Sequence, residues 1–224
     1  MAILTPVVSK FNIASGNVQE IYALPVGKTH AFVDITFFKD DTSQDSLVAI
    51  ALSQDPNPNN LTTVDYFIDD IELVGTVNNA ELSKVIVGQN ERLYVKVLSG
   101  PAVNVRVAAM EENNSKVLKA GRLSASNISN ANTITKVFEN TLTGVSYISA
   151  SITLFNTSTT DTLFEAWVGS NEPPVANEKI LEFTVPGKDT TIIENITLLP
   201  NEKIFVRSQQ PNTEFFINGV VVSV

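Results

Sequence analysis

The side chains that could do acid–base chemistry are few. The chain has one histidine, His30, and no cysteine, which excludes thiol catalysis, disulfides and cysteine-ligated zinc. A serine triad would need a nucleophile held beside His30, and the sequence has no Gly-x-Ser-x-Gly elbow to carry one. A matching segment later in the chain has Tyr147 in place of the histidine. We therefore expect His30 to pack at the start of a strand.

Neighbouring acids could serve a glycosidase, which uses one protonated and one ionised carboxyl group. Three such pairs occur: Asp40-Asp41, Asp69-Asp70 and Glu111-Glu112. Neighbouring side chains of an extended strand point to opposite faces, so a pair does not converge on one substrate. Asp40, Asp41 and Asp45 could instead offer oxygen ligands to Ca²⁺, but their spacing is not that of an EF-hand. We expect solvated loop acids, no enzyme activity, no metal and no cofactor.

Aromatic side chains could stack against sugars if they were exposed. Trp167 lies in an apolar segment, and Phe215-Phe216 lie in the last one. Burial in the core is the commoner role for such residues in a sandwich, and we expect it here.

Charge and composition exclude further classes of function. With 24 acidic and 15 basic residues the net charge is −9, which opposes binding to duplex DNA or to an anionic membrane. The basic residues are scattered and not interleaved with aromatics, so single-stranded nucleic acid is not expected either. The start, MAILTPVVSK, lacks the basic region of a secretory signal, and no apolar run reaches the roughly 20 residues of a membrane span.

Self-comparison reveals an internal repeat. Segments 27–38, 45–58 and 90–95 match segments 144–155, 161–174 and 201–206, in the same order and at offsets of 117, 116 and 111 residues. The last match aligns NERLYV with NEKIFV. This pattern predicts a tandem duplication. We assign residues 1–112 to an N-terminal domain, 113–119 to a linker and 120–224 to a C-terminal domain that repeats the first.

The sequence pattern of each half predicts a series of short strands. Val33, Ile35 and Phe37 alternate with less apolar residues, as do Val103, Val105 and Val107, and turn-forming clusters separate the runs. Seven or eight strands in each half indicate two antiparallel β-sandwich domains, Ig-like or jelly-roll-like, in an all-β chain. One segment differs: the spacing of Val64, Phe67, Ile68 and Ile71 predicts a helical turn before a strand at 71–74.

The segment VGQNERLYVKV (87–97) followed by SGPAVNVRVAAMEE (99–112) resembles the C-terminal hairpin of β-sandwich modules in virion structural proteins of tailed bacteriophages. The second half keeps LLPNEKIFVRS (198–208) but has EFFINGVVV (214–222) in place of the VNVRV strand. The resemblance implies a non-enzymatic virion protein that decorates or cements the capsid or sits at the head, neck or tail. It would assemble in the host cytoplasm.

The implied partners are other virion proteins, such as the major capsid or the tail and neck proteins. Three copies of a duplicated chain would present six similar units, so a homotrimer is favoured. Contacts would use strand edges, loops and the N-terminal segment, where Ile3, Leu4, Val7 and Val8 could add a strand to a neighbour's sheet. The alternative is a carbohydrate- or receptor-binding module at a fibre tip.

Overall fold

The computed structural model describes residues 6–39, 41, 43–63, 65–74, 79–211 and 213–223. The chain divides into two compact units, Met1–Ser115 and Lys116–Val224. Each unit is an antiparallel β-sandwich, as the alternation of apolar residues predicts. No helix among the described residues is long and apolar enough to cross a membrane.

The first unit contains strands β1 to β8. Their bounds are Val7–Ile13, Val18–Ala23, His30–Phe38, Ser46–Ser53, Tyr66–Leu73, Asn79–Gly88, Arg92–Ser99 and Val103–Glu112. One sheet has the order β1-β8-β3-β6 and the other β2-β7-β4-β5. A single turn of 3-10 helix, Pro58–Asn60, lies between β4 and β5.

The second unit contains strands β9 to β16. Their bounds are Val117–Ile128, Thr135–Glu139, Val145–Asn156, Thr162–Gly169, Lys179–Val185, Thr190–Leu198, Lys203–Ser208 and Thr213–Ser223. The sheets have the orders β9-β16-β11-β14 and β10-β15-β12-β13, which repeat those of the first unit strand for strand. A 3-10 turn, Ala176–Glu178, again separates the fourth and fifth strands.

This strand order is that of an eight-stranded jelly roll, so of the two expected sandwich types the jelly roll is the one present. The three pairs of matching sequence segments fall on β3 and β11, on β4 and β12, and on β7 and β15. The predicted linker, residues 113–119, overlaps the start of β9 at Val117.

The cores lie between the two sheets of each unit. In β3 the alternating Val33, Ile35 and Phe37 have no exposed surface. In β11, Ile152 and Leu154 occupy the same place in the second core. Burial of each such side chain contributes about 1.5–3 kcal/mol, which is why the alternating pattern survives in both halves.

The repeated Asn-Glu pair has a structural cause. Asn90 and Asn201 both adopt left-handed backbone conformations, with φ of 64° and 67°. The following glutamates close the turns, because Glu91 Oε2 accepts a hydrogen bond from Gly88 N at 2.8 Å and Glu202 Oε2 accepts one from Leu199 N at 2.7 Å. The same turn therefore leads into β7 and into β15.

The predicted helical turn before residue 71 is wrong. Residues 66–73 form strand β5, and Val64 lies outside the described residues. The pairing of β4 with β5 shifts register twice, between Val48 and Ile50 and between Ile50 and Ala51. Such bulges interrupt the two-residue period, and the surviving apolar positions then imitate helical spacing.

The hairpin expected over residues 87–112 is also absent. β7 pairs with β2 and β4, whereas β8 pairs with β1 and β3, so the two strands lie in different sheets. The connection turns sharply at Gly100, whose φ is +86° and where a Cβ atom would lie 2.0 Å from Asp45 O. Both strands alternate in the same way whether or not they pair, so the sequence pattern could not separate the two arrangements.

Candidate functional site

The predicted contact segment at the N-terminus lies partly in β1. Val7 and Val8 are 47% and 46% exposed, whereas Ile3 and Leu4 lie outside the described residues. β1 pairs antiparallel with β8 and stands at the end of its sheet order. The segment from Val7 onward is thus part of this chain's own sheet, and strand addition to a neighbour stays a prediction.

A shallow groove of about 500 Å³ lies beside β1, on the face of its sheet that points away from the core. In the register of β1 with β8, Lys10 lies opposite Arg106 and Asn12 lies opposite Asn104. Asn12 Nδ2 donates a hydrogen bond to Asn104 Oδ1 at 2.8 Å. Phe38, 40% exposed, completes this groove from β3. We call the lining formed by these five residues the cationic groove.

The charges of the cationic groove are unbalanced. Like charges that lie directly opposite each other on paired strands repel and destabilise the pairing. Among the residues that the structure describes, neither Lys10 nor Arg106 forms an ion pair. Asp34, the acid one row further along the sheet, accepts a hydrogen bond from Lys84 N at 2.9 Å. A bound anionic group would therefore relieve a repulsion that no ion pair among the described residues relieves.

Sequence reasoning did not find the cationic groove. Lys10 and Arg106 are far apart in the chain and meet only because the first strand pairs with the eighth. The alternation of Val103, Val105 and Val107 does carry one signal, because it places Arg106 on the outer face. Nothing in the sequence shows which strand lies beside it.

The opposite edge of each such sheet is distorted. Lys84 in β6 and Asn195 in β14 have φ of 56° and 62°, conformations that side-chain-bearing residues rarely adopt. The register of β3 with β6 shifts between Val33 and Ile35, and that of β11 with β14 shifts at the equivalent place. Bulges at sheet edges discourage pairing with another chain. In the first unit, β1 is therefore the more regular edge of its sheet.

The second unit carries an ion cluster around one buried carboxylate, on the outer face of its β10-β15-β12-β13 sheet. The Glu165 side chain is 4% exposed and accepts hydrogen bonds from Lys179 Nζ, at 2.5 Å, and from Arg207. Burial raises the pKa of Glu165, but the hydrogen bonds from the two cations outweigh it and the net pKa is lowered. A carboxylate held ionised between two cations is suited to fixing strands rather than to transferring protons.

Trp167 is buried, at 5% exposure, but the predicted position in the core is wrong. It does not lie among the residues of the core between the sheets, where its neighbours Phe164 and Ala166 are found. It lies on the outer face instead, with Lys179 Nζ 5.6 Å and the Arg207 guanidinium carbon 5.9 Å from the ring centroid. These cation–π contacts leave little of the ring for a sugar.

His30 is 2% exposed at the start of β3, in the packing position that the sequence predicts. Its Nδ1 lies 3.0 Å from Thr29 Oγ1, and its Nε2 lies 3.5 Å from a carboxylate oxygen of Glu112. The ring meets Phe32 edge-on, with 5.1 Å between centroids. Burial lowers the pKa of His30, and the nearby Glu112 only partly offsets this.

The paired acids whose side chains the structure describes make separate contacts, and the side chains of Asp69 and Asp70 lie outside that description. Glu111 accepts a hydrogen bond from Tyr22 Oη at 3.3 Å and lies 3.6 Å from Lys28 Nζ, whereas Glu112 faces His30. Asp41 Oδ1 accepts hydrogen bonds from the backbone and side chain of Ser43, and Asp40 lies outside the described residues. Within the described part of the chain, no group of three or more His, Asp or Glu side chains is placed to hold a metal ion.

Comparison with known proteins gives no family. No protein-family model matches the chain, and no curated protein matches it. Among solved structures, the major capsid protein P2 of bacteriophage PM2 aligns over 97% of this chain and 98% of its own, with a TM-score of 0.45 and 12% identity. The structure of Broad Bean Stain Virus aligns over 100% of this chain and 90% of its own, with a TM-score of 0.37 and 9% identity.

A tandem CBM22 domain from Paenibacillus barcinonensis Xyn10C also aligns, over 98% of this chain and 87% of its own. Its TM-score is 0.31 and its identity 8%. Structural similarity at these TM-scores and sequence identities does not assign a function to the chain. What the chain itself shows is a pair of jelly rolls with exposed sheet faces and a cationic groove.

Proposed function

We propose that the chain is a non-enzymatic structural protein of a virion, of the kind found in tailed phages. It decorates or cements the capsid, or attaches at the head, neck or tail, through protein–protein contacts. The observation that carries this proposal is the tandem of two jelly rolls with one strand order. Jelly rolls recur in viral capsid and lectin domains, and fold alone does not choose between them.

The duplication favours a part built into a lattice. A chain with two similar units offers two similar sets of surfaces, so three copies present six units to a hexagonal lattice or a sixfold tail. We therefore propose a homotrimer that contacts the major capsid protein or the tail and neck proteins, assembled in the host cytoplasm. Val7 and Val8 on β1, together with Ile3 and Leu4, are proposed to contribute to these contacts.

The local chemistry supports a structural role over a catalytic one. The most buried carboxylate of the ion cluster, Glu165, is neutralised by Lys179 and Arg207. His30 lies against Thr29 and Glu112. These groups hold neighbouring strands together.

Cryo-electron microscopy of the particle that carries this protein tests the proposal. We expect density for paired jelly rolls on the capsid or the tail, with the chain detected in purified particles by mass spectrometry. A chain that stays monomeric, is missing from particles and binds no virion component would contradict it. Deletion of residues 1–6, which leaves β1 intact, tests the N-terminal contact separately. Unchanged incorporation into particles would show that residues 1–6 do not contribute to the contact.

The alternative, a carbohydrate-binding fibre-tip module, is tested on a glycan array. Trp167 is too buried to serve as a stacking platform, so sugar binding would have to use another aromatic, such as Phe38. Clear binding that Phe38→Ala abolishes would favour the alternative.

A further inference from the structure

We propose that the cationic groove of one chain binds the acidic edge strand β5 of a second copy, so that copies associate head to tail. This inference rests on the proposed function, because it names the contact through which the structural oligomer forms. It also assigns an occupant to a groove whose Lys10, Arg106 and Phe38 side chains are exposed.

The groove supplies the attraction. Lys10 and Arg106 face each other across paired strands without an ion-pair partner among the described residues. A carboxylate placed between them adds two attractions that together outweigh the repulsion between the two cations. Phe38 in the groove, and Val8 and Met110 on the same sheet face, are 40%, 46% and 43% exposed and add apolar surface. Aromatic residues and methionine are enriched with arginine at protein interfaces.

A second copy supplies the anion. Residues 1–115 contain 14 acidic and only 7 basic side chains, so the net charge of this unit is opposite in sign to that of the groove. Three of these acids, Asp69, Asp70 and Glu72, fall within four positions of β5. β5 stands at the end of its sheet order, and Glu72 is exposed.

The fold places groove and acids at opposite sides of the same unit. β1 approaches β2 across the sandwich, whereas β5 approaches β6, so β1 and β5 bound different lateral sides. A contact between two different surfaces is heterologous, and its repetition closes into a ring or continues as a filament. A ring of three copies would satisfy every groove and every acidic strand, in agreement with the proposed trimer.

Sedimentation velocity of the full chain at about 50 mM and about 500 mM NaCl tests the contact, because added salt screens exposed charges. The reversed-groove variant combines Lys10→Glu with Arg106→Glu. Its matched control combines Lys96→Glu with Lys119→Glu, which changes the net charge equally at sites away from the groove. Circular dichroism checks that each variant is folded.

We expect the wild-type chain and the control to associate more tightly at low salt. The reversed-groove variant should associate at least about tenfold more weakly. Adding Asp70→Lys and Glu72→Lys to the reversed-groove variant should restore association, because both surfaces then exchange sign. Such rescue separates a direct charge contact from a general loss of structure.

Three outcomes would overturn the inference: a wild-type chain that is monomeric at all concentrations, an oligomer that the groove reversal leaves unchanged, or a reversal that the acidic-strand changes fail to rescue. Binding of a uronic-acid oligosaccharide by monomeric wild type, lost on groove reversal, would show a saccharide site instead of a chain contact. Incorporation into particles is measured separately. Normal incorporation of a variant that no longer self-associates would refute this inference while leaving the proposed function intact.

Discussion

The two units have the same strand order but cover the outer face of one sheet differently. In the first unit, Ala49 and Ala51 in β4 are 1% and 0% exposed although they are small. The β4–β5 loop reaches this sheet, because Tyr94 Oη donates a hydrogen bond to Asp55 O at 2.6 Å and Leu52 N donates one to Asp65 O at 2.9 Å. The Tyr94 side chain, which lies opposite Ala51 and has no exposed surface, covers the sheet there together with this loop.

In the second unit, the positions that match Ala49 and Ala51 are Glu165 and Trp167. The connecting loop is shorter, and the bulky ring and the ion cluster with Lys179 and Arg207 fill the space instead. The two units share some features and differ in others. Core alternation and the Asn-Glu turn recur in both units, whereas the covering of the outer face differs between them in size and charge.

The largest effect should come from a charge in one core. Ile35 has no exposed surface, so Ile35→Asp should destabilise the first unit by more than about 4 kcal/mol and unfold it. The single tryptophan, Trp167, lies in the second unit and reports on that unit alone. Because each unit has its own core, we expect amide hydrogen exchange to lose protection in the first unit while Trp167 emission stays native.

The matched variant Ile152→Asp should reverse this pattern. Ile152 occupies the equivalent buried place in β11, so its replacement should expose Trp167 and spare the first unit. Joint unfolding of both units by either variant would contradict the independence of the two cores.

A smaller effect is expected where the two units differ most. Trp167 is only 5% exposed, and no long loop covers this face of the sheet in its place. Trp167→Ala should therefore destabilise the second unit by about 3–5 kcal/mol. Trp167→Phe, which keeps an aromatic ring, should cost less. Urea denaturation followed by circular dichroism measures both, and equal losses for the two variants would show that ring volume is not what matters.

Much of this architecture follows from the sequence pattern. Alternation at Val33, Ile35 and Phe37 predicts both the strand and its buried face, because burial of one face requires a two-residue period. The repeat segments predict equivalent strands. Turns of the same type, such as those at Asn90 and Asn201, need a residue that tolerates a left-handed backbone conformation at the same position. These features are local, so the sequence carries them.

Long-range pairing is what the sequence pattern lacks. Alternation states which face of a strand is buried but not which strand lies beside it, so the β7–β8 segment is compatible with a hairpin and with a crossing between sheets. For the same reason Lys10 and Arg106 remain two scattered cations until the pairing of β1 with β8 joins them. Bulges in the β4–β5 pairing removed even the local signal around Phe67 and Ile68.

The Asn-Glu turns should respond equally in both units. Asn90→Ala and Asn201→Ala each place an ordinary side chain in a left-handed conformation and should cost about 1 kcal/mol. Asn90→Gly and Asn201→Gly are the controls, because glycine adopts this conformation without strain. Hydrogen exchange resolved by unit measures the loss in each. A clear difference between the alanine variants would show that the shared sequence does not serve a shared role.

The smallest difference concerns pH. Burial lowers the pKa of His30 below its ordinary value of about 6.5, so the unfolded first unit binds more protons than the folded one as the pH falls below that value. Stability of the first unit is therefore full above about pH 6.5 and decreases as the pH falls toward the folded-state pKa. The second unit has no histidine, and its Glu165 has a lowered pKa, so that contribution is lost only at more acidic pH.

Hydrogen exchange at pH 7 and pH 5.5, corrected for intrinsic rates, should show a loss confined to the first unit. His30→Gln should abolish that loss, because it removes the titrating ring. A loss that persists in this variant would show that His30 is not its source.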